Sequence, residues 1–181
     1  MSDRNGKIFC TSIASLSHIS KTSRLETGVI ALNTSRCEAA PVIESAAAQL
    51  KPRMDEKNIS IHVGHIEGDG VFDPKWTGEA VFNILDNAVK YTPEGGCITV
   101  WTAVYPMFLC INVKDSGEGI DEDEQAKIFQ RFYRSSRHSG EEGVGIGLYL
   151  VRQIAEGQGG YVKVSSARGR GSVFSLYLPR E

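Results

Sequence analysis

The stretch Phe82–Gly96, "FNILDNAVKYTPEGG", decides the fold of this chain, because it sets two asparagines, Asn83 and Asn87, one helical turn apart. Asparagine is a mediocre helix former, since its short amide competes for nearby backbone groups. At about 100° per residue, Glu79, Asn83, Asp86, Asn87, Lys90 and Tyr91 share one arc of roughly 140°. Val81, Phe82, Ile84, Leu85, Ala88 and Val89 fill the other. The apolar arc must pack on a sheet, which leaves the polar arc facing out. A solvated helix face would satisfy that requirement. Such faces usually carry Lys and Glu, however, and this one carries neutral amides.

Working outward, "PVIESAAAQLKPRMDEK" (residues 41–57) has helical spacing, with Val42, Ile43, Ala46, Ala47, Leu50 and Met54 on one face. Pro41 suits the first turn, whereas Pro52 is placed to bend the helix or end it early. "ISIHV" alternates as a strand, which puts His62 and His65 on opposite faces and argues against a metal pair there. After the turn signal "PEGG", "CITVWTAV" and "MFLCINVKD" alternate around a short turn as a β-hairpin. "IDEDEQAKIFQRFY" opens with acidic residues suited to a helix N-terminus. "RSSRHSGEEGVGIG" reads as a mobile polar loop and "LYLVRQIAEGQGG" as an amphipathic helix. "YVKVSSARGRGSVFSLYLP" closes the chain with two strands around an Arg-Gly turn. Helices and antiparallel hairpins in this order predict an α+β two-layer sandwich.

The composition fits one substantial core: 181 residues, 41% of them hydrophobic, with a net charge of −2 that points to neither nucleic acid nor an acidic membrane. No uncharged apolar run approaches the roughly 20 residues of a membrane helix, and "MSDRNGK" is not a signal peptide. The scattered Cys10, Cys37, Cys97 and Cys110 contain no CxxC pair and read as reduced thiols, so the expected setting is cytoplasmic.

Three glycine motifs follow the asparagine helix. "DSGEG" (115–119) ends a strand, "GVGIGL" (143–148) precedes a helix, and "GRGS" (169–172) joins the last strands. Glycine permits close backbone approach, and a helix beginning after "GVGIG" offers free N–H groups to phosphate oxygens. Either motif alone is weak. The ordered set is specific.

With these motifs the chain resembles, over residues 39 to 179, the ATP-binding catalytic domain of bacterial sensor histidine kinases, within the superfamily shared with gyrase, Hsp90 and MutL. "NILDNAVKYT" resembles that family's N box, "DSGEG" its G1 box, "IFQRFYR" its F box and "GVGIGL" its G2 box. The resemblance implies a Bergerat-type ATP-binding fold, a mixed, mostly antiparallel sheet backed by three helices. It also implies roles. Asn87 would give its side-chain oxygen to Mg²⁺, with Asn83 lining the same phosphate site. Lys90 would lie near the phosphates and Tyr91 would pack against the nucleotide. Asp115 would accept from the adenine amino group, Gly117 and Gly119 would let the backbone approach the base, and Ile120 and Ser172 would belong to the same nucleotide-binding set. Gly143, Val144, Gly145, Ile146, Gly147 and Leu148 would wrap the triphosphate. Arg134, and more weakly Arg137, would reach the γ-phosphate, while Phe129 and Phe132 would anchor the lid by packing. Val144 stands where many relatives have a hydroxyl residue, so any hydroxyl contact there is lost.

Asn83 separates branches of the superfamily. In its ATPases, and in anti-sigma serine kinases, the corresponding position resembles a glutamate. A carboxylate can take a proton from water; an amide cannot. The resemblance therefore implies a kinase that holds Mg-ATP for another nucleophile, a histidine on a dimerisation hairpin in a context resembling "HELRTPL". No such motif occurs in the chain; His18 lies in "SHISK" and His138 in the polar loop. Residues 1–38 are expected to be a tail that keeps a remnant of the hairpin's second helix, and residues 39–181 the catalytic domain. Expected partners are that hairpin, a response regulator and, through a homodimeric parent with or without a membrane anchor, a second copy. The alternatives are a degenerate relay module and a free-standing ATPase.

Overall fold

The asparagine-bearing helix forms where the sequence puts it, and its start has a visible cause. The computed structural model describes residues 31–135 and 144–181. Helix α2 (Pro74–Tyr91) begins at Asp73, whose Oδ1 accepts from the backbone N–H of Lys75 at 2.9 Å and of Trp76 at 3.1 Å. Pro74 sits in the first turn, where its missing N–H costs nothing. Helix α1 (Ala40–Glu56) precedes it and buries Val42, Ile43, Ala46, Leu50 and Met54, while Ala47 is partly buried. Pro52 neither stops nor shortens α1, which runs through it to Glu56.

Five strands form the main sheet in the order β2–β4–β5–β7–β6: β2 (Ser60–Val63), β4 (Cys97–Val104), β5 (Phe108–Asp115), β6 (Tyr161–Ser166) and β7 (Ser172–Pro179). Only β2–β4 is parallel, and β4–β5 is the expected hairpin, with Ile98 opposite Asp115. Alternate residues of β5 and β7, among them Leu109, Ile111, Val113, Phe174, Leu176 and Leu178, enter the core. They meet Ile84, Leu85, Ala88 and Val89 of α2 there. Each fully buried Leu or Ile contributes about 1.5–3 kcal/mol relative to exposure, so the apolar arc suffices to hold α2 down.

Helix α4 (Gly147–Gly157) buries Leu150, Val151, Ile154 and Ala155 and completes a layer of three long helices. The two-layer sandwich is as expected, with three differences of detail.

Ser35–Glu38, assigned above to the tail, is strand β1, paired antiparallel with β3 (Asp69–Phe72) in a separate two-stranded sheet. The acidic segment makes only a one-turn helix, α3 (Glu122–Gln125). The Gln125 side chain, on the last residue of that turn, donates to the carbonyls of Ile120 and Ser166, and Phe129 turns inward, edge-on to Phe174 at 6.4 Å. Phe132 does not pack as an anchor: it is 54% exposed, has φ 64°, and lies under the Arg131 guanidinium.

Candidate functional site

Among the described residues, two groups of those singled out in the sequence come together: Asp115, Gly117, Ser172 and Tyr91, and Asn83 with Gly147. Asp115 ends β5, 4% exposed, and its Oδ1 accepts from Gly117 N at 2.8 Å and Ser172 N at 3.3 Å. Burial pushes its carboxyl above the usual aspartate range, against the opposing pull of the hydrogen bonds from Gly117 and Ser172. Ser172 Oγ lies 3.0 Å from Ser166 Oγ, which accepts from Ile120 N at 2.8 Å. Gly117 is pressed against α2: a Cβ there would stand 2.6 Å from the Tyr91 carbonyl oxygen. The G1 turn and the end of the asparagine helix therefore share one surface.

Along α2, the Lys90 ammonium lies 5.0 Å from the Tyr91 ring centre, the distance of a cation–π contact. Asn87 and Lys90 are half-buried. Asp86, on the same polar arc, is committed elsewhere, to Arg53 of α1. Asn83 corrects the expectation of an outward-facing arc, being only 6% exposed. The N-terminus of α4 covers it: a Cβ at Gly147 would meet Asn83 Oδ1 at 2.9 Å. The amide is satisfied locally, Nδ2 donating to the Glu79 carbonyl at 2.7 Å.

At the start of α4, Ile146 is 2% exposed, so any ligand contact falls to its backbone. Leu148 and Ile120 pack partly buried against the core. Gly145 accepts from Phe132 N at 2.9 Å, tying the F-box segment to the G2 segment. Val144 and Gly119 are partly exposed and Arg134 is exposed. Gly143, Arg137 and His138 lie outside the described residues, as do His18 and all of residues 1–30.

Two members were missed. Ser166 and Gln125 brace Ile120, Ser172 and α3, yet "VKVSS" and "DEDEQ" carry no motif, because their roles come from strand register alone.

Asn87, Lys90, Tyr91, Asp115, Gly117 and Ser172, with Asn83 at the α4 N-terminus, thus combine a buried carboxylate, neutral amides and a glycine-lined helix start. Such a set can hold a base by its amino edge and phosphates by backbone N–H groups and amides. Residues 72–181 match the family described as histidine kinase-, DNA gyrase B-, and HSP90-like ATPase, and the chain belongs to that family. It is similar to the sensor protein CreC of Escherichia coli (strain K12), 35% identical over 128 residues, covering 71% of this chain and 27% of that protein. It is also similar to the adaptive-response sensory kinase SasA of Synechococcus elongatus, 35% identical over 144 residues, covering 77% of this chain and 37% of the relative. The chain thus spans well under half the length of these relatives. Among solved structures, the mycobacterial sensor histidine kinase MprB superposes with a TM-score of 0.72 at 28% identity, over 81% of this chain and 97% of that one. The catalytic domain of histidine kinase ThkA shares the fold, with a TM-score of 0.71 at 22% identity over 82% of this chain and 96% of that one.

Proposed function

We propose that this chain binds Mg²⁺-ATP between the polar arc of α2, the end of β5 and the start of α4. From there it donates the γ-phosphate to a histidine on a helical-hairpin dimerisation domain. A response regulator would take the phosphate from that histidine, and the setting would be cytoplasmic. The observation that carries the kinase reading is Asn83. It is an amide, buried against Gly147 and back-bonded to its own helix, where a hydrolase needs a base aimed at water.

The residues fit a magnesium nucleotide. Asn87 offers a hard oxygen, which Mg²⁺ prefers, on the half-buried part of the arc. Bound there, the ion would neutralise phosphate charge. Asp115 orients the base through Oδ2, because Oδ1 is occupied by Gly117 and Ser172. Lys90 holds phosphate charge, Tyr91 and Ile120 exclude water, and the N–H groups at the α4 start, Gly145 to Leu148, line the phosphates. Arg134 is exposed ahead of the G2 segment and would reach the γ-phosphate once nucleotide is bound. Similarity to CreC and SasA supports the kinase reading over a relay module.

Calorimetric titration of a non-hydrolysable ATP analogue, with and without Mg²⁺, tests it. The wild type is expected to bind more tightly with Mg²⁺, and Asn87→Ala to lose about tenfold, the worth of one ion-directed contact. Wild type that is folded yet silent in the titration would return the reading to the relay module.

The same titration should depend on pH through Asp115. Burial favours its protonated form, and that form puts a proton on the carboxylate that the base would need as an acceptor. Affinity is therefore expected to hold above the raised pKa and to fall as pH drops through it, beginning above the ordinary value of 3.8. For stability the sign reverses. A raised carboxyl pKa makes its contribution largest at low pH and loses it as pH rises through the folded value. A pH-independent affinity down to the ordinary aspartate range would remove Asp115 from the base contact.

A further inference from the structure

At the join of α1 and β2, Lys57 reaches across to the C-terminus of α2. Its ammonium donates to the carbonyls of Val89 at 2.8 Å, Lys90 at 3.0 Å and Thr92 at 2.7 Å. These are all three donors of a lysine, spent on three carbonyls of one neighbouring segment. The last carbonyls of a helix have no partner within it and carry the negative end of its dipole, so a cation there is favoured. The backbone of Lys57 is also held, its carbonyl accepting from Gly95 N at 3.0 Å, on the turn that leaves α2. Asn58 Nδ2 bonds Glu94 Oε1 at 3.2 Å beside it. Lysine and turn therefore clamp each other across the end of the asparagine helix.

We infer that Lys57 is a positioning residue for the nucleotide site, acting through Lys90 and Tyr91. The inference rests on the function proposed above. Two of the carbonyls it holds flank Tyr91, and the third precedes Lys90. The Tyr91 carbonyl is the surface on which Gly117 and the Asp115 turn rest. Without the clamp, the last turn of α2 can fray, which moves the Lys90 ammonium and the seat of the G1 turn together. Nothing in "DEKNIS" announces this, because the contact joins residues 32 to 35 positions apart.

Lys57→Met keeps the aliphatic stem and removes the donors; Lys57→Arg restores charge and donors. In titrations with a non-hydrolysable ATP analogue and Mg²⁺, Lys57→Met is expected to bind about tenfold more weakly. Lys57→Arg should recover most of that loss. In a Lys90→Ala background the Lys57→Met penalty should shrink but not vanish, because the route through Lys90 is gone while the seat of the G1 turn on Tyr91 is still displaced. A full penalty in that background, or none in the wild-type background, overturns the inference. Amide hydrogen exchange at Tyr91 and Thr92 reads the clamp without nucleotide. Faster exchange in Lys57→Met alone is expected, and unchanged exchange overturns it. Failure of wild type to bind the analogue would instead count against the proposed function, with the exchange result still deciding the clamp.

Discussion

Asp115→Asn is expected to weaken the ATP analogue about 100-fold while leaving the fold intact. The asparagine keeps an oxygen at the Oδ1 position, so the bonds from Gly117 N and Ser172 N survive. What changes is the other end of the side chain. A carboxylate oxygen that could accept from the adenine amino group becomes an NH₂, and two donors then face each other in a site 4% exposed in the wild type. Each buried polar group left unpaired costs about 1–3 kcal/mol. Stability should not fall, because the substitution also removes a carboxyl whose ionised form burial disfavours. Thermal unfolding with and without analogue separates the two effects. Near wild-type affinity in Asp115→Asn would remove the base from this end of β5.

What the sequence makes legible follows how local each signal is. Helix α2 is plain because eighteen residues repeat one amphipathic pattern between a capping Asp73 and the "PEGG" turn. The hairpin β4–β5 is plain because an alternating eight-residue run and a largely apolar eight-residue run flank a short turn. Strands β1 and β3 are four residues each, and one contains Gly70, so they carry no pattern of their own and exist only by pairing with each other. Helix α3 is one turn long, and its contacts are tertiary, from Gln125 to the Ser166 carbonyl and from Phe129 to Phe174, so the acidic run alone does not foretell them. In the site, motif residues were legible because their spacing is local. The burial of Asn83 was not, because the helix that covers it begins 64 positions later, at Gly147. The supports Ser166, Gln125 and Lys57 were invisible for the same reason.

The contrast between Gly117→Ala and Gly147→Ala gives the second large effect. At Gly117 a methyl would stand 2.6 Å from the Tyr91 carbonyl oxygen and 2.8 Å from Asp115 Oδ1. Neither neighbour can yield cheaply, since one is helix backbone at the end of α2 and the other is held by two N–H donors. The turn must therefore lift off α2, at about 1–3 kcal/mol of stability, typical of overpacking. Asp115 moves with it, so affinity for the ATP analogue should fall at least about 100-fold. At Gly147 the methyl would meet Asn83 Oδ1 at 2.9 Å, a side-chain atom that can rotate once its bond to the Glu79 carbonyl is given up. Alanine in place of glycine at the first position of α4 returns only part of the about 1 kcal/mol of propensity it would give in a helix interior, which offsets part of that bond. Gly147→Ala should therefore lose less melting temperature than Gly117→Ala and about tenfold in affinity, because Asn83 and the α4 start are displaced from each other. Melting temperatures and calorimetry on the two variants decide the matter. If Gly117→Ala bound like wild type, the contact between the G1 turn and α2 would have no part in the site.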